Sequence, residues 1–147
     1  MNNTLLLCWH LHQPFYYLPD GTGLAPGVVT FRCLQNYRPM ALIASEFPSV
    51  RMTFNLTPVL LKQIDAIGSE AVKDDFIELL KDDSPDPLAV MRFGRMIPER
   101  HIQQSQIAAR LLSDIRDGTA RDGAVRDLVV WLHLSAFHPA VNDQLVS

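Results

Sequence analysis

The stretch Trp9-His10-Leu11-His12-Gln13-Pro14 stands at the end of the first apolar run of the chain. A near-continuous run of this kind predicts a strand that is covered on both faces, as in a parallel sheet. Side chains alternate along a strand, so His10 and His12 should share one face. Pro14 has no amide hydrogen for a strand ladder and restricts Gln13, so the strand should end here. Two imidazoles and one amide therefore lie at a strand's C-terminal mouth, where α/β folds place their ligands.

A helix and a second strand are predicted to follow. Residues 30–46 carry apolar side chains at helical spacing, and Pro39 should kink or restart that helix. Residues 50–56 alternate apolar and polar side chains, which indicates a strand. A strand, a crossover helix and a second strand form a βαβ unit with parallel strands and a right-handed connection. Thr57-Pro58 should then open a helix with a capping hydroxyl. Asn55 lies near the C-terminal end of the second strand. There its side-chain amide either binds a ligand or forms a hydrogen bond with the following turn.

The rest of the chain reads as mainly helical. The loop at 18–27 is rich in glycine and proline and is expected to have no regular structure, and no confident third strand follows Leu56. Helices are expected over three segments, which are 71–80, 98–115 and 122–137. The acidic run Asp82-Asp83-Ser84-Pro85-Asp86 between the first two is interpreted as a solvated loop and helix cap, because nothing nearby would desolvate a carboxylate. We therefore predict a βαβα start over 1–68 and a mainly helical part over 69–147.

Composition excludes several function classes. The chain has 147 residues and a formal net charge of −3, so it lacks the basic face that nucleic acids require. It has no apolar stretch long enough for a membrane span and no signal peptide pattern. Its two cysteines, Cys8 and Cys33, make no disulfide framework or metal-site spacing, which favours a cytoplasmic setting. Its glycines do not match nucleotide-binding spacing, and no cofactor is predicted.

The histidine motif and several later blocks resemble a known family of enzymes. The stretch His10 to Pro14 resembles the H-x-H-Q-P opening motif of glycoside hydrolase family 57, which includes α-amylases, amylopullulanases and 4-α-glucanotransferases. Further blocks resemble the N-terminal region of that family in the expected order: Tyr37 to Leu42, Phe47-Pro48, Thr53 to Gln63, Met96 to Pro98 and Arg126 to Leu134. The resemblance spans nearly the whole chain and is weaker after Gln63.

The resemblance implies a fold, an activity and a set of site residues. The fold would be the first part of a parallel (β/α) barrel, a (β/α)7 barrel in the family, with a largely helical insertion. The full enzyme would be a retaining glycosidase or transferase acting on α-linked glucans. In this segment, His10, His12 and Asn55 would bind the substrate, and Gln13 would fix either the loop or the ligand. A histidine is common in the family where Arg32 stands, so Arg32 is either a substrate contact or a solvated helix residue.

The catalytic groups are expected elsewhere. A retaining glycosidase needs two carboxylates about 5 to 5.5 Å apart. The family's glutamate nucleophile and aspartate acid/base have no matching positions here, so we expect this chain to be the front part of a longer enzyme, inactive alone and with some apolar surface exposed.

Two alternative functions remain open at the sequence level. One is a metal-dependent hydrolase of the amidohydrolase type, because an H-x-H pair at the end of a first barrel strand is also a zinc-binding signature. The other is a non-catalytic carbohydrate-binding or interaction fragment, in which the aromatic residues Phe15, Tyr16 and Tyr17 and the helical part make the contacts.

Overall fold

The computed structural model describes residues 5–137, which divide into two units, residues 5–74 and residues 75–137. The first unit contains, in chain order, β1 (Leu7–Leu11), β2 (Gly23–Leu24), α1 (Val28–Arg32), a π-helical segment (Cys33–Tyr37), α2 (Arg38–Glu46), β3 (Met52–Leu56), α3 (Pro58–Gly68) and β4 (Lys73–Asp74). The second unit contains α4 (Asp75–Lys81), α5 (Pro87–Gly94), α6 (Glu99–Gln104), α7 (Gln106–Asp117) and α8 (Ala124–Ala136).

The first unit is built on a parallel pair of strands. β1 pairs with β3 in a register that runs from Leu7 beside Met52 to Leu11 beside Leu56. The chain between them contains a loop that includes β2 and then one helical crossover, formed by α1, the π-helical segment and α2. The predicted strand, helix and parallel strand are therefore confirmed, and the chain is an α/β protein.

Helices pack on one face of this pair, on which Trp9 and Leu56 stay 47% and 43% exposed. Leu11 and Phe54 point to that face and pack with residues of the crossover helix and of α3. Three residues are buried at its centre, and seven others are packed against them: Leu11, Val29 and Leu60, with Tyr16, Cys33, Tyr37, Met40, Phe54, Ile64 and Ile67. Burial of this apolar surface is the main stabilising contribution to the unit.

The opposite face of the β1–β3 pair is open among the described residues. Cys8, His10, Thr53 and Asn55 alternate with the covered positions, and all four are exposed. The prediction of a strand covered on both faces is therefore wrong for residues 5–137. An apolar run shows that one layer packs on a strand, but it does not show whether a second layer is present. Leu5 and Leu6, which precede β1, are 80% and 87% exposed.

Pro39 acts as the sequence predicts, by restarting the crossover helix. The helix widens into π turns over Cys33–Tyr37, and α-helical geometry resumes at Arg38 with Pro39 in the first turn. Proline is tolerated there because the amide groups of a first turn have no partner within an α-helix. The π segment thus joins two short α-helices into one crossover.

Thr57 begins α3 in another way than its sequence suggests. The residue has the extended backbone of an N-cap, and Pro58 follows as expected. Its side chain, however, makes no capping hydrogen bond, and within residues 5–137 its buried hydroxyl has no hydrogen-bond partner. Its backbone amide instead donates to the carbonyl of Leu11 at 3.2 Å. The predicted capping hydroxyl is therefore wrong.

A second, very short parallel pair closes the first unit. β2 lies in the loop that was expected to be irregular, and it pairs with β4. The close approach of the two strands favours glycine at position 23, because an added Cβ would lie 3.0 Å from the carbonyl oxygen of Lys73. Pairs of two residues carry too little alternation for detection in the sequence. The division of the chain at residue 68 stays a prediction.

The second unit is helical, with two more segments than the sequence predicted. The helix expected over 98–115 is two helices, because the backbone of Ser105 is extended and its hydroxyl accepts the amide of Ala108 to begin α7. The acidic run is confirmed as a turn and a cap, since Asp86 accepts the amide of Leu88 and begins α5, which the sequence reading missed. α4 begins at Asp75 and not at residue 71.

His133 lies inside the second unit. Its ring nitrogens lie 2.8 and 2.7 Å from the carbonyl oxygens of Val129 and Phe76, and its ring stacks on that of Phe76 at 4.0 Å. His133 is therefore a packing residue of the second unit. Within residues 5–137, no helix combines the length and the apolar character that a membrane crossing requires.

Candidate functional site

The open face of the β1–β3 pair brings together three of the four residues proposed from the sequence. His10 lies directly beside Asn55 in the strand register, and both side chains are exposed. His12 is exposed one residue past the end of β1. Strand pairing therefore places an imidazole and an amide next to each other, and a second imidazole follows at the mouth of the strands.

The two histidine rings stack against each other. Their centroids lie 5.9 Å apart, and their planes are inclined by only 11°. The alternation of side chains along the strand explains this arrangement, because residues two apart point the same way. Each imidazole has two ring nitrogens, so the pair presents several hydrogen-bonding positions to solvent on one side of the sheet.

Gln13, the fourth residue, points into a network of tyrosines. Its Nε2 donates to the hydroxyl of Tyr37 at 2.7 Å, and its Oε1 accepts the hydroxyl of Tyr16 at 3.2 Å. The hydroxyl of Tyr37 lies 3.4 Å from the carbonyl oxygen of His12. Both ends of the amide are therefore engaged by protein groups, and of the two roles predicted for Gln13, these contacts fit fixing of the loop.

A residue that the sequence reading missed holds the same loop. Gln63 on α3 is completely buried, and its Oε1 accepts the backbone amide of Tyr16 at 2.8 Å. Its Nε2 donates to the carbonyl oxygen of Pro14 at 3.0 Å. The sequence does indicate a buried role for Gln63, because this residue lies three residues after Leu60 on the apolar face of the helix. A polar side chain at such a position needs hydrogen-bond partners.

Aromatic side chains lie beside the mouth. Phe15 and Tyr17 stack with centroids 4.9 Å apart, and Phe15 is 63% exposed. The ammonium group of Lys62 lies 5.7 Å from the centre of the Tyr17 ring. Tyr16 is partly buried within the core of the unit. Of the three aromatics, Phe15 offers the freest ring face for an apolar contact.

Arg32 occupies the last turn of α1. Its guanidinium donates to the side-chain oxygen of Asn36 at 3.2 Å and lies 5.7 Å from the ring centre of Phe31. These contacts hold the side chain along its own helical segment.

The titration of Cys33 reflects its place in the core of the first unit. Burial, together with the nearby carboxylate of Asp74, raises the pKa of the Cys33 thiol to about 11. Cys8, by contrast, is exposed on the open sheet face, and neither cysteine is in a disulfide. A thiol with so high a pKa is a poor nucleophile at neutral pH, so Cys33 is a packing residue.

The second unit has an acidic hollow of about 260 Å³, lined by Asp75, Glu78, Asp82, Asp86 and Arg92 together with apolar neighbours. Partial burial raises the pKa of Asp75, and the positive charge of Arg92 opposes this rise. Three of the acids already have structural contacts, since Glu78 pairs with Lys81 and the other two accept backbone amides in a turn and a cap. Three of the four carboxylates that line the hollow therefore take part in a turn, a cap or an ion pair.

The open sheet face carries exposed nitrogen donors and acceptors, and the exposed ring of Phe15 stands three residues after His12 in the following loop. In the described chain, the ends of β1 and β3 carry no carboxylate. Among residues 5–137, no group of three or more His, Cys, Asp or Glu side chains is arranged to hold a metal ion. Such a face can hold a neutral, hydroxyl-rich ligand by hydrogen bonds and ring contact. No protein-family model, no curated protein and no solved structure matches this chain.

Proposed function

We propose that this chain supplies the substrate-binding side of a retaining glycosidase or glycosyl-transferring enzyme that acts on α-linked glucans. The proposal rests on one observation: His10, His12 and Asn55 stand together on the exposed face of a parallel strand pair, at its C-terminal end. The resemblance of the histidine motif and the later blocks to glycoside hydrolase family 57 supports the choice of substrate class.

The chemistry of the open face suits a sugar. Glucose units carry hydroxyl groups around their rim and apolar faces above and below the ring. Imidazole nitrogens and an amide side chain can bond the hydroxyls, while the exposed ring of Phe15 can pack on a sugar face. The stacked arrangement of the two histidines would let one glucose unit contact both rings.

In this proposal the bond is broken by other residues. A retaining enzyme uses a carboxylate nucleophile and a second carboxyl group as acid and base. The proposal assigns these groups to strands of a (β/α) barrel other than β1 and β3. Here His10, His12 and Asn55 orient the sugar, and the Gln13 network holds the loop in which His12 stands. A cytoplasmic setting is part of the proposal, and the two cysteines outside any disulfide support it.

Binding of an α-glucan to this chain tests the proposal. Maltohexaose is titrated into the labelled protein, and the imidazole resonances of His10 and His12 are followed by NMR. We expect both to shift with one dissociation constant, and we expect His10→Ala and His12→Ala each to weaken binding about tenfold, which corresponds to about 1.4 kcal/mol. His101, an exposed histidine of α6, serves as the matched control, and His101→Ala should leave the affinity unchanged.

Two further ligands separate the alternatives. Cellohexaose has the same composition with β-linkages, and equal binding of both sugars would contradict the α-glucan assignment. Zinc alone tests the metal-dependent hydrolase. Stoichiometric zinc binding that is lost on changing either histidine, with no response to maltohexaose, would replace our proposal by that alternative. Our proposal makes this chain part of a longer enzyme, and activity measurements on that enzyme would separate a hydrolase from a non-catalytic sugar-binding protein.

A further inference from the structure

Gln63 joins two parts of the first unit that are far apart in sequence. It lies on α3, 47 residues after Tyr16 and 49 residues after Pro14, and it bonds the backbone of both. Its side chain is completely buried. A buried primary amide is retained in a core only when its oxygen and nitrogen are both satisfied, and here one backbone amide and one backbone carbonyl satisfy them.

The loop after β1 has few other means of holding its shape. The β1 ladder ends at Leu11, and among the described residues the backbone beyond it has no neighbouring strand until Tyr17 bridges to Leu24. Buried backbone groups need partners, and the amide of Gln63 provides them from the side. The two hydrogen bonds flank Phe15 and fix the backbone on both sides of it.

The fixed loop in turn carries the tyrosine network. Tyr16, whose backbone Gln63 holds, directs its hydroxyl to Gln13, and the opposite end of Gln13 reaches Tyr37. Tyr37 lies against the carbonyl oxygen of His12. A continuous series of contacts therefore leads from the interior of α3 to the backbone of the second histidine.

We infer that Gln63 is a positioning residue, which sets the backbone of the loop at Pro14–Tyr16 and thereby holds His12 and Phe15 in the arrangement that receives the sugar. The part of this inference that concerns sugar rests on the proposed function; the part that concerns the loop does not. Gln63 touches no ligand and acts only through the loop.

The central variant is Gln63→Met, because methionine fills a similar volume without either hydrogen bond. We expect the Tyr16 amide to lose at least about tenfold in protection from hydrogen exchange, and the His12 and Gln13 side-chain resonances to move in the absence of any sugar. Maltohexaose affinity should fall about five- to tenfold at a temperature where the variant is fully folded.

Phe31→Leu is the matched control. Phe31 on α1 is also buried in the first unit, but it is not part of the cluster around Leu60 against which Tyr16 and Tyr37 pack. This variant should lower the melting temperature while it leaves the Tyr16 amide, the His12 resonances and the sugar affinity within twofold of the parent. Equal losses in both variants would show that Gln63 acts only through general stability, and the inference would be overturned.

A measurement on the unaltered protein tests the inference even if the variant does not fold. A through-hydrogen-bond scalar coupling between the Tyr16 amide nitrogen and the side-chain carbonyl carbon of Gln63 should be detectable, and its absence would overturn the inference. If the parent protein binds no maltohexaose, the proposed function fails, while the sugar-free spectra of Gln63→Met still decide whether Gln63 sets the position of His12.

Discussion

Asn55 is the cross-strand neighbour of His10 in the parallel pair of β1 and β3, and both side chains project from the face that no helix covers among the described residues. This neighbourhood joins parts of the chain that are separated by the whole crossover helix. It gives the candidate site a contribution from each strand, as ligand sites at the ends of parallel strands commonly have.

Removal of the Asn55 amide should weaken sugar binding without unfolding the protein. We expect Asn55→Ala to reduce maltohexaose affinity about fivefold, since one hydrogen bond contributes about 1 kcal/mol. The residue is exposed, so the free energy of unfolding should change by less than about 0.5 kcal/mol. Calorimetric titration and urea unfolding measure the two quantities. Thr53→Ala, on the same face beside Cys8, is the control, and an equal loss of affinity there would count against a site at the strand mouth.

Thr57→Val should stabilise the first unit. The hydroxyl of Thr57 is buried and has no hydrogen-bond partner within residues 5–137, so its removal in an isosteric side chain relieves a desolvation cost. We expect the free energy of unfolding to rise by about 1 kcal/mol in urea denaturation. Ser105→Ala is the contrasting variant, because that hydroxyl does cap a helix and its loss should cost about 1 kcal/mol. A destabilised Thr57→Val protein would show that the hydroxyl caps α3 after all.

The raised pKa of Cys33 makes stability fall in alkaline solution. Below pH 9 the thiol is protonated in both the folded and the unfolded chain. As pH rises from 9.0 toward about 11, the thiol ionises in the unfolded chain while burial keeps it protonated in the folded one. Ionisation therefore stabilises the unfolded state, and the free energy of unfolding falls. We expect a loss of about 2 kcal/mol over this range, relative to Cys33→Ala.

Thiol labelling offers an independent check of the same contrast. At pH 8 the exposed thiol of Cys8 should react readily with a thiol reagent in the native protein, while Cys33 should remain unlabelled until the protein is unfolded. Parallel pH curves for the parent and Cys33→Ala, or equal labelling of both cysteines, would contradict the burial of Cys33.

His133→Ala should destabilise the second unit. The variant removes the contacts of the ring with two backbone carbonyl oxygens and its stack on Phe76, and it leaves a cavity where a buried side chain stood. We expect a loss of about 2 to 4 kcal/mol in the free energy of unfolding, measured by urea denaturation. His101→Ala, at an exposed position, should change it by less than about 0.5 kcal/mol. A small effect at His133 would mean that the ring is not buried in solution.

The first unit was largely predictable because its patterns are strong. The alternation that ends in Phe54-Asn55-Leu56 indicates a strand, and the helical spacing before it indicates a crossover, so the parallel pair follows. The shared face of His10 and His12 follows from the same alternation. The spacing of apolar residues does not reveal how many layers cover a strand. For this reason the sequence predicts that β1 is covered on both faces, which residues 5–137 do not show.

Other features could not be predicted from the sequence, because they depend on a single residue or on tertiary packing. Ser105 interrupts an amphipathic pattern that continues on both sides of it, so the break between α6 and α7 depends on one backbone conformation. The two ends of the Gln13 amide find tyrosines through tertiary packing, which local sequence does not encode. Gln63 differs from these features, because the sequence shows a polar residue on the apolar face of α3. A buried polar side chain requires a hydrogen-bond partner, so this contact could be expected.

The π-helical segment at Cys33–Tyr37 has a consequence for insertions and deletions. A π turn accommodates one residue more than an α turn, so this part of the crossover behaves as an α-helix with a single residue added. Because the wide turn absorbs the added residue, deletion of one residue here should restore α-helical turns without rotating Met40 relative to α1. Deletion of one residue within α2 itself would instead rotate all that follows by about 100°. The π-helical segment is therefore the place where the crossover can lose one residue and keep the phase of its two halves.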